Sequence, residues 1–348
     1  MNAAIRAITK VAASRGVHVA GVVGGYTGLL EGTTRALTHE VTTASGKMVV
    51  PEPEVDAIAA LGGTVLGSAR ELRFLTAAGR APAVAALAKF AGLVVIGGNG
   101  SLAGAHALAG ECSVPVVGIP ASIDNDVGCS SSAIGVDTAL NTIVDACDKI
   151  CDTARAHRRA FVVEVMGREC GYLAMAGAIA VGADAVLFRE QGRTEEAIVD
   201  AAVQAIRRAF EQGRGKQRVL ILKAEGVSVP CTRLVRLVEE RLLSDLPGVD
   251  VRATVLGHLV RGGNPSFQDR MIAGRLGLAA VAAVLEGASD VMVGWQGPAG
   301  GVPTGDPAVA RFALELVLRE SAALVDGTSA VTRRRVQMME LVEGVLGL

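Results

Sequence analysis

LVVIGGNGSLAG, residues 93–104, runs three apolar β-formers, Val94, Val95 and Ile96, into the glycines Gly97, Gly98 and Gly100, and then opens a helical stretch from Leu102 to Leu108. A strand that ends in a side-chain-poor turn before a helix is the repeating unit of a parallel α/β sheet. Its turn leaves backbone N–H groups free for an anion, most often phosphate. Glycine-rich turns of this kind also arise from packing alone, so both readings stand for Gly97–Ser101. Asn99 occupies the middle of the turn, where a carboxylate would help to hold the metal ion that accompanies a nucleotide.

The same unit recurs on either side of this stretch. Apolar β-rich runs at 17–23, 114–119, 160–165, 185–188, 218–223, 251–255 and 291–294 alternate with helical patterns. Those patterns lie at 3–14, 54–60, 81–90, 101–109, 134–157, 171–181, 194–212, 232–244, 267–286 and 306–320. The alternation predicts an α/β fold of βαβ units with right-handed crossovers, in doubly wound, parallel-rich sheets. Ligands of such sheets sit beyond the carboxyl ends of the strands. Residues 2–14 read as a helix with no strand ahead of it.

Composition agrees with this architecture. The chain has 348 residues, enough for two domains of ordinary size. It is 50% hydrophobic but only 3% aromatic, so its apolar content is mostly Ala, Val, Leu and Ile, as in a parallel sheet covered by helices. The formal charge of −1 excludes a global positive field for nucleic acid, and anionic ligands must be held by local clusters. Cysteines stand at 112, 129, 147, 151, 170 and 231, and no second pair or nearby His completes a zinc set with Cys147 and Cys151. Buried, reduced thiols and a cytoplasmic protein without a signal peptide are expected. The apolar stretch 172–188 is shorter than the ~20 residues of a membrane span and contains Asp184, so it reads as a buried helix followed by a strand.

Three further strand ends carry polar cargo. PASIDND (120–126) puts Asp124 and Asp126 around Asn125 after an apolar strand, either as a solvated turn or as a site for a metal and a proton. MGRECG (166–171) offers Gly167 for close backbone approach and the donor fork of Arg168 for phosphate; a surface Arg on a turn is the plain alternative. GHLVRGGNPSFQDR (257–270) spaces His258 and Arg261 three apart before Gly262 and Gly263. That suits a phosphate monoester, or simply a capped helix start with a satisfied His. Phosphate or metal chemistry at four strand ends of one chain points to phosphoryl transfer onto a phosphorylated small molecule.

The segments NAAIR (2–6), GGTVLGSAR (62–70), IGGNGS (96–101), SIDND (122–126), RRAFVVEVMGR (158–168) and RATVLGHLVRGG (252–263) together resemble the phosphofructokinase family, from residue 1 to about residue 320. A glycine-rich loop alone would also admit NAD kinases and lipid kinases, but the MGR and GHLVRGG segments argue against both. The resemblance implies two similar Rossmann-like domains: residues 1–137 plus 258–305 for the nucleotide, residues 138–257 plus 306–325 for the sugar phosphate, and a helical tail at 326–348. The implied reaction is glycolytic transfer of a phosphoryl group from ATP to the 1-hydroxyl of fructose 6-phosphate, giving fructose 1,6-bisphosphate. Asp124 would be the catalytic base, with Ser122, Asp126 and Arg168 beside it in catalysis. Ser122, where Thr is usual, would line the hydroxyl's site with Ile123 and Asp124. Met166, Gly167, Arg168, Glu225, His258 and Arg261 would form the sugar-phosphate pocket. Arg159 and Arg252 would reach into a neighbouring subunit's site, which implies a homo-oligomer, usually a tetramer. Tyr26, Arg70, Gly98, Asn99, Gly100 and Ser101 would face the nucleotide, and Asn99, Asp124 and Asp126 its Mg²⁺.

Pyrophosphate-dependent relatives typically carry Asp at the position of Gly100 and Lys at that of Ala121. The small neutral residues here favour ATP, with a pyrophosphate-dependent enzyme and a non-catalytic, sugar-phosphate-binding regulatory paralogue as the alternatives. Asn99 replaces a family Asp, so an active enzyme with weakened metal handling is expected. Relatives place a strand and a Gly-Gly-Asp loop before the segment matching NAAIR, which leads to the expectation that the cellular chain begins upstream of Met1. Arg6, Lys10, Arg214 and Lys216, with Asp184, would contribute to an effector pocket, and Cys151 stands where bacterial relatives often have Arg. An altered or absent effector response is therefore expected.

Overall fold

The structure, a computed structural model, describes residues 1–44, 46–157, 159–211, 216–343 and 345. Arg158 of the 158–168 motif, residue 212 at the end of an expected helix, and Arg214 of the expected effector cluster lie outside the described residues. The chain divides into two compact units, the first comprising residues 1–122, 127–137 and 263–322, the second 123–126, 138–262 and 323–348.

The first unit opens with α1 (Asn2–Ser14), whose buried residues Ala4, Ile5, Thr9 and Ala12 recur at helical spacing on one face. A short strand β1 (Ala20–Val22), helix α2 (Gly25–Glu31) and strand β2 (Thr34–Ala36) follow. Then come the hairpin β3 (Thr38–Thr43) and β4 (Gly46–Pro51), and helices α3 (Glu54–Ala57) and α4 (Ala77–Leu87). Next are β5 (Leu93–Gly97), α5 (Asn99–Glu111) and β6 (Val116–Pro120), followed by the long α6 (Val136–His157), which leads into the second unit.

The second unit is built from β7 (Ala160–Val165), α7 (Tyr172–Val181), β8 (Ala185–Leu187), α8 (Glu195–Phe210), β9 (Val219–Ala224), α9 (Cys231–Leu242) and β10 (Val251–Val255). Its sheet has the order β10-β7-β9-β8 and is parallel throughout. All six residues of β9 are buried, as expected of a strand covered by helices on both faces. Val162, Val163, Leu220, Ile221 and Leu222 of the sheet pack with Ile143, Leu173 and Ile206 of the helices.

The chain re-enters the first unit at α10 (Phe267–Leu285), which packs along α1, and adds β11 (Val291–Trp295), β12 (Val302–Pro303), β13 (Val309–Ala313) and α11 (Leu314–Asp326). The final helix, α12 (Ala330–Val342), belongs to the second unit. The five-stranded sheet of the first unit runs β12-β13-β11-β6-β5, with β5, β6 and β11 parallel and β13 antiparallel to β11. Strand β5 ends this sheet. An apolar cavity of about 320 Å³ lies beside it, lined by Leu93 to Ile96 together with Ile5 and Ile8 of α1 and Val281 and Val284 of α10.

Three local expectations change. The run at 17–23 contributes β1, but to an antiparallel pair with β2 rather than to a parallel sheet. The hairpin β3–β4 was not expected from periodicity. Residues 309–313, within the expected helix 306–320, form β13, because Val309 and Phe312 are buried there while the backbone pairs with β11. Tertiary pairing overrides the helical propensity of this Ala-, Arg- and Leu-rich stretch. The chain accordingly stays in the first unit to residue 322, past the boundary expected near 305. Among the described residues, no helix is long and apolar enough to cross a membrane.

Candidate active site

The carboxyl ends of β7, β9 and β10 converge in the second unit. Glu225 N–H donates to Val165 O at 2.9 Å, extending the pairing of β9 with β7 by one residue. The neighbouring Gly226 lies so close to Arg168 that a Cβ there would overlap its carbonyl oxygen. Gly167 has φ +123°, a backbone conformation side chains rarely adopt, and a Cβ on it would meet Cys170 O at 2.5 Å. Gly167 lets the turn after β7 close on itself, and Gly226 lets that turn fold against the turn after β9. Arg168 Nε then donates to Glu225 Oε1 at 3.2 Å, with the guanidinium 79% exposed. Arg261, in the 3₁₀ turn Gly257–Arg261 after β10, places its Nε 3.3 Å from Met166 Sδ. His258, in the same turn, is exposed.

Asp124 belongs to this cluster. Its carboxyl is pushed up to about 6, first by burial and next by the charge of Asp126, with Glu225 adding to the rise and Arg261 and Arg168 opposing it. Its Oδ1 is buried and accepts no hydrogen bond among the described residues. A carboxylate in that state is a proton acceptor poised near neutrality. Asn125 between the two acids is buried with φ +50°, within the range Asn tolerates better than most residues.

In the first unit, Gly98 caps α5, and the turn Gly97–Ser101 is closed by Ala121 N–H donating to Gly97 O at 2.9 Å. A Cβ on Gly98 would lie 3.5 Å from Ser122 Cβ, which puts Ser122 beside the turn. A Cβ on Gly100 would meet nothing within 4 Å, so open space adjoins it. Tyr26 donates from its hydroxyl to Ser101 O and stacks on Phe74 with ring centroids 3.8 Å apart. Its ring lies where a Cβ on Gly104 would be. Tyr26 is thus anchored to the turn from behind, while Arg70 is exposed.

Arg159 and Arg252 are not brought to this cluster. They stand at the amino ends of β7 and β10, and six residues of β7 at ~3.3 Å each put ~20 Å between Arg159 and the turn that holds Arg168. Both pair with Asp250, at 2.6 and 2.8 Å. Lys216 pairs with Asp184 at 2.6 Å, and Arg6 at 3.2 Å and Lys10 both pair with Asp56, so these cations are engaged within the chain.

Sequence reasoning missed Gly226, Asp250 and the buried pair formed by Lys223 and Glu164. The Glu-Gly step at 225–226 was a usable signal for Gly226, since it follows an apolar strand. Nothing local signals the other two. Among the described residues, no group of three or more His, Cys, Asp or Glu could hold a metal ion. Two neighbouring acids, one with a buried oxygen left open, fit a divalent ion that takes most of its ligands from phosphate and water.

A profile of the phosphofructokinases matches residues 1–284. The chain is 43% identical over 299 residues to the ATP-dependent 6-phosphofructokinase of Thermotoga neapolitana, covering 85% of this chain and 86% of that one. It is also 43% identical over 296 residues to ATP-dependent 6-phosphofructokinase 2 of Bacteroides thetaiotaomicron, covering 84% of each. The structure of phosphofructokinase from Saccharomyces cerevisiae superposes with a TM-score of 0.81 at 27% identity over 99% of this chain. The present chain spans 48% of that yeast chain. With the profile covering residues 1–284 and a relative 43% identical over 85% of this chain, the chain belongs to the phosphofructokinase family.

Proposed function

We propose that the protein transfers the terminal phosphoryl group of ATP to the 1-hydroxyl of fructose 6-phosphate, releasing ADP and fructose 1,6-bisphosphate in glycolysis. The observation that carries this reading is Asp124: a carboxylate raised to about 6, with Arg168 and Arg261 acting on it in one cluster, in a chain whose relatives are ATP-dependent 6-phosphofructokinases. Asp124 takes the proton of the 1-hydroxyl as the new O–P bond forms and the bond from the terminal phosphorus to ADP breaks. Arg168, His258 and Arg261 hold the 6-phosphate, with Met166, Gly167 and Glu225 shaping the floor, and Ser122 and Ile123 line the hydroxyl. Guanidinium forks suit phosphate because their donors match two oxygens at once.

The first unit takes the nucleotide at Gly98–Ser101, with Tyr26 fixing the turn and Arg70 reaching the ligand. The open space at Gly100 supports a nucleotide over pyrophosphate as donor. Asp124 and Asp126, with the neutral Asn99, would hold the metal, and Mg²⁺ when bound supplies charge neutralisation at the phosphoryl oxygens.

Arg159 and Arg252 serve the sugar-phosphate site of a second copy, which makes the active species a homo-oligomer, a tetramer by analogy with the family. Their position ~20 Å from the Arg168 turn supports this. The free thiols suit a reducing compartment, and we place the enzyme in the cytoplasm. A coupled assay with fructose 6-phosphate and either Mg–ATP or Mg–pyrophosphate tests the reading. Turnover with ATP is expected; turnover with pyrophosphate alone, or sugar-phosphate binding with no turnover on either donor, overturns it.

A further inference from the structure

The C-terminal helix α12 has no part in the reaction just described, yet it packs against α7 and the short turn Arg189–Gln191 that flank the Arg168 turn. Three of its contacts are specific. The guanidinium of Arg335 lies 4.4 Å from the centre of the Tyr172 ring, and its Nη1 is 3.8 Å from Cys170 Sγ. At the other end of the helix, Glu343 accepts two hydrogen bonds from Arg193 Nη2, at 2.9 and 3.0 Å. Met339 is buried in the core of the second unit between them.

Arg335 therefore touches both residues that close the turn Met166–Gly171, Cys170 within it and Tyr172 immediately after it. The rest of the turn is held from the Arg189–Gln191 side. Gly171 N–H donates to Glu190 Oε1 at 2.8 Å, and Glu169 pairs with Arg189. Arg168 itself is mostly exposed, so its aim rests on its bond to Glu225 and on the backbone that carries it. Removing one wall of that backbone frees the guanidinium to move relative to Arg261 and Glu225.

We propose that Arg335 is a positioning residue for the sugar-phosphate site, and that α12 acts as a clamp setting the aim of Arg168 through Cys170 and Tyr172. This rests on the reading that Arg168 binds the 6-phosphate. A cation over an aromatic face is a directional contact, and its loss is worth a few-fold in affinity when the group it positions binds the substrate.

The test uses the full chain with Arg335→Ala and Arg335→Lys, measured by steady-state kinetics and by iodoacetamide labelling of Cys170 read by peptide mass. Burial raises the Cys170 thiol to about 11, so the clamped turn labels slowly. In Arg335→Ala the KM for fructose 6-phosphate rises about three- to tenfold, the change that a lost cation–π contact converts to, while kcat and the KM for ATP stay near wild type. Cys170 labels faster, and Arg335→Lys, which keeps a cation near the ring, recovers part of both effects. An unchanged KM for the sugar phosphate overturns the proposal. So does a parallel rise in both KM values together with a fall in melting temperature, which marks general loosening. If the wild type lacks the kinase activity, the functional reading falls, and the labelling rate still decides whether Arg335 clamps the turn.

Discussion

The raised carboxyl of Asp124, the proposed proton acceptor, costs the fold stability. Its folded-state value of about 6 lies above the ordinary 3.8, because burial and Asp126 disfavour the charged form. Folding therefore binds its proton more tightly than the unfolded chain does. Well below pH 3.8 the carboxyl is protonated in both states and costs nothing. The cost appears between about pH 4 and 6 and is fully present above 6. Asp124→Asn removes it, so the variant should be more stable than wild type above pH 6, on the order of 1–2 kcal/mol once partial exposure is allowed for. Denaturant unfolding at about pH 4 and about pH 7.5 checks this, with the difference falling to a small fraction at the lower pH. Asp126→Asn removes the second cause of the rise, so the acid limb of kcat/KM should move from near pH 6 to lower pH. A limb that stays in place would show that burial alone sets it.

At the scale of elements, the site depends on β7 and β9 ending in register. Lys223 and Glu164 are register partners on these strands, and their side chains pair at 2.8 Å with Lys223 only 1% exposed. Lys223→Ala leaves Glu164 without that partner in the sheet and should cost about 3–5 kcal/mol in denaturant unfolding. The paired exchange Lys223→Met with Glu164→Leu should recover most of that loss. The strands themselves were legible, because parallel strands covered on both sides are continuous apolar runs, as at 93–97, 160–165 and 219–224. So were the turns beyond them, where Gly167 and Arg168, and Asp124 and Asp126, follow an apolar run directly. Strand β13 was not legible, because AVARFA favours a helix locally and becomes a strand only by pairing with β11. Nor was the hold of Asp250 on Arg159 and Arg252, or that of Arg335 on Cys170, since long-range partners leave no period in the sequence.

At the scale of the whole molecule, the division into two units follows how the chain is threaded. Helix α6 carries it out of the first unit, the segment around residue 263 brings it back, and α12 ends it in the second. The proposed oligomer predicts complementation. If Arg252 serves a neighbouring copy, an Arg252→Ala chain and an Asp124→Ala chain, each nearly inactive alone, should regain activity when refolded together. The mixed oligomers contain sites with both native residues. Activity that stays at the sum of the two separate variants would place Arg252 outside any shared site.

The central claim is that the carboxylate at position 124 takes the proton of the sugar hydroxyl, and kcat of Asp124→Ala with fructose 6-phosphate and Mg–ATP at pH 8 tests it most directly. A fall of about 10²–10⁴-fold, with the KM for fructose 6-phosphate changed far less, is the predicted result. A kcat within a factor of about two of wild type would contradict it.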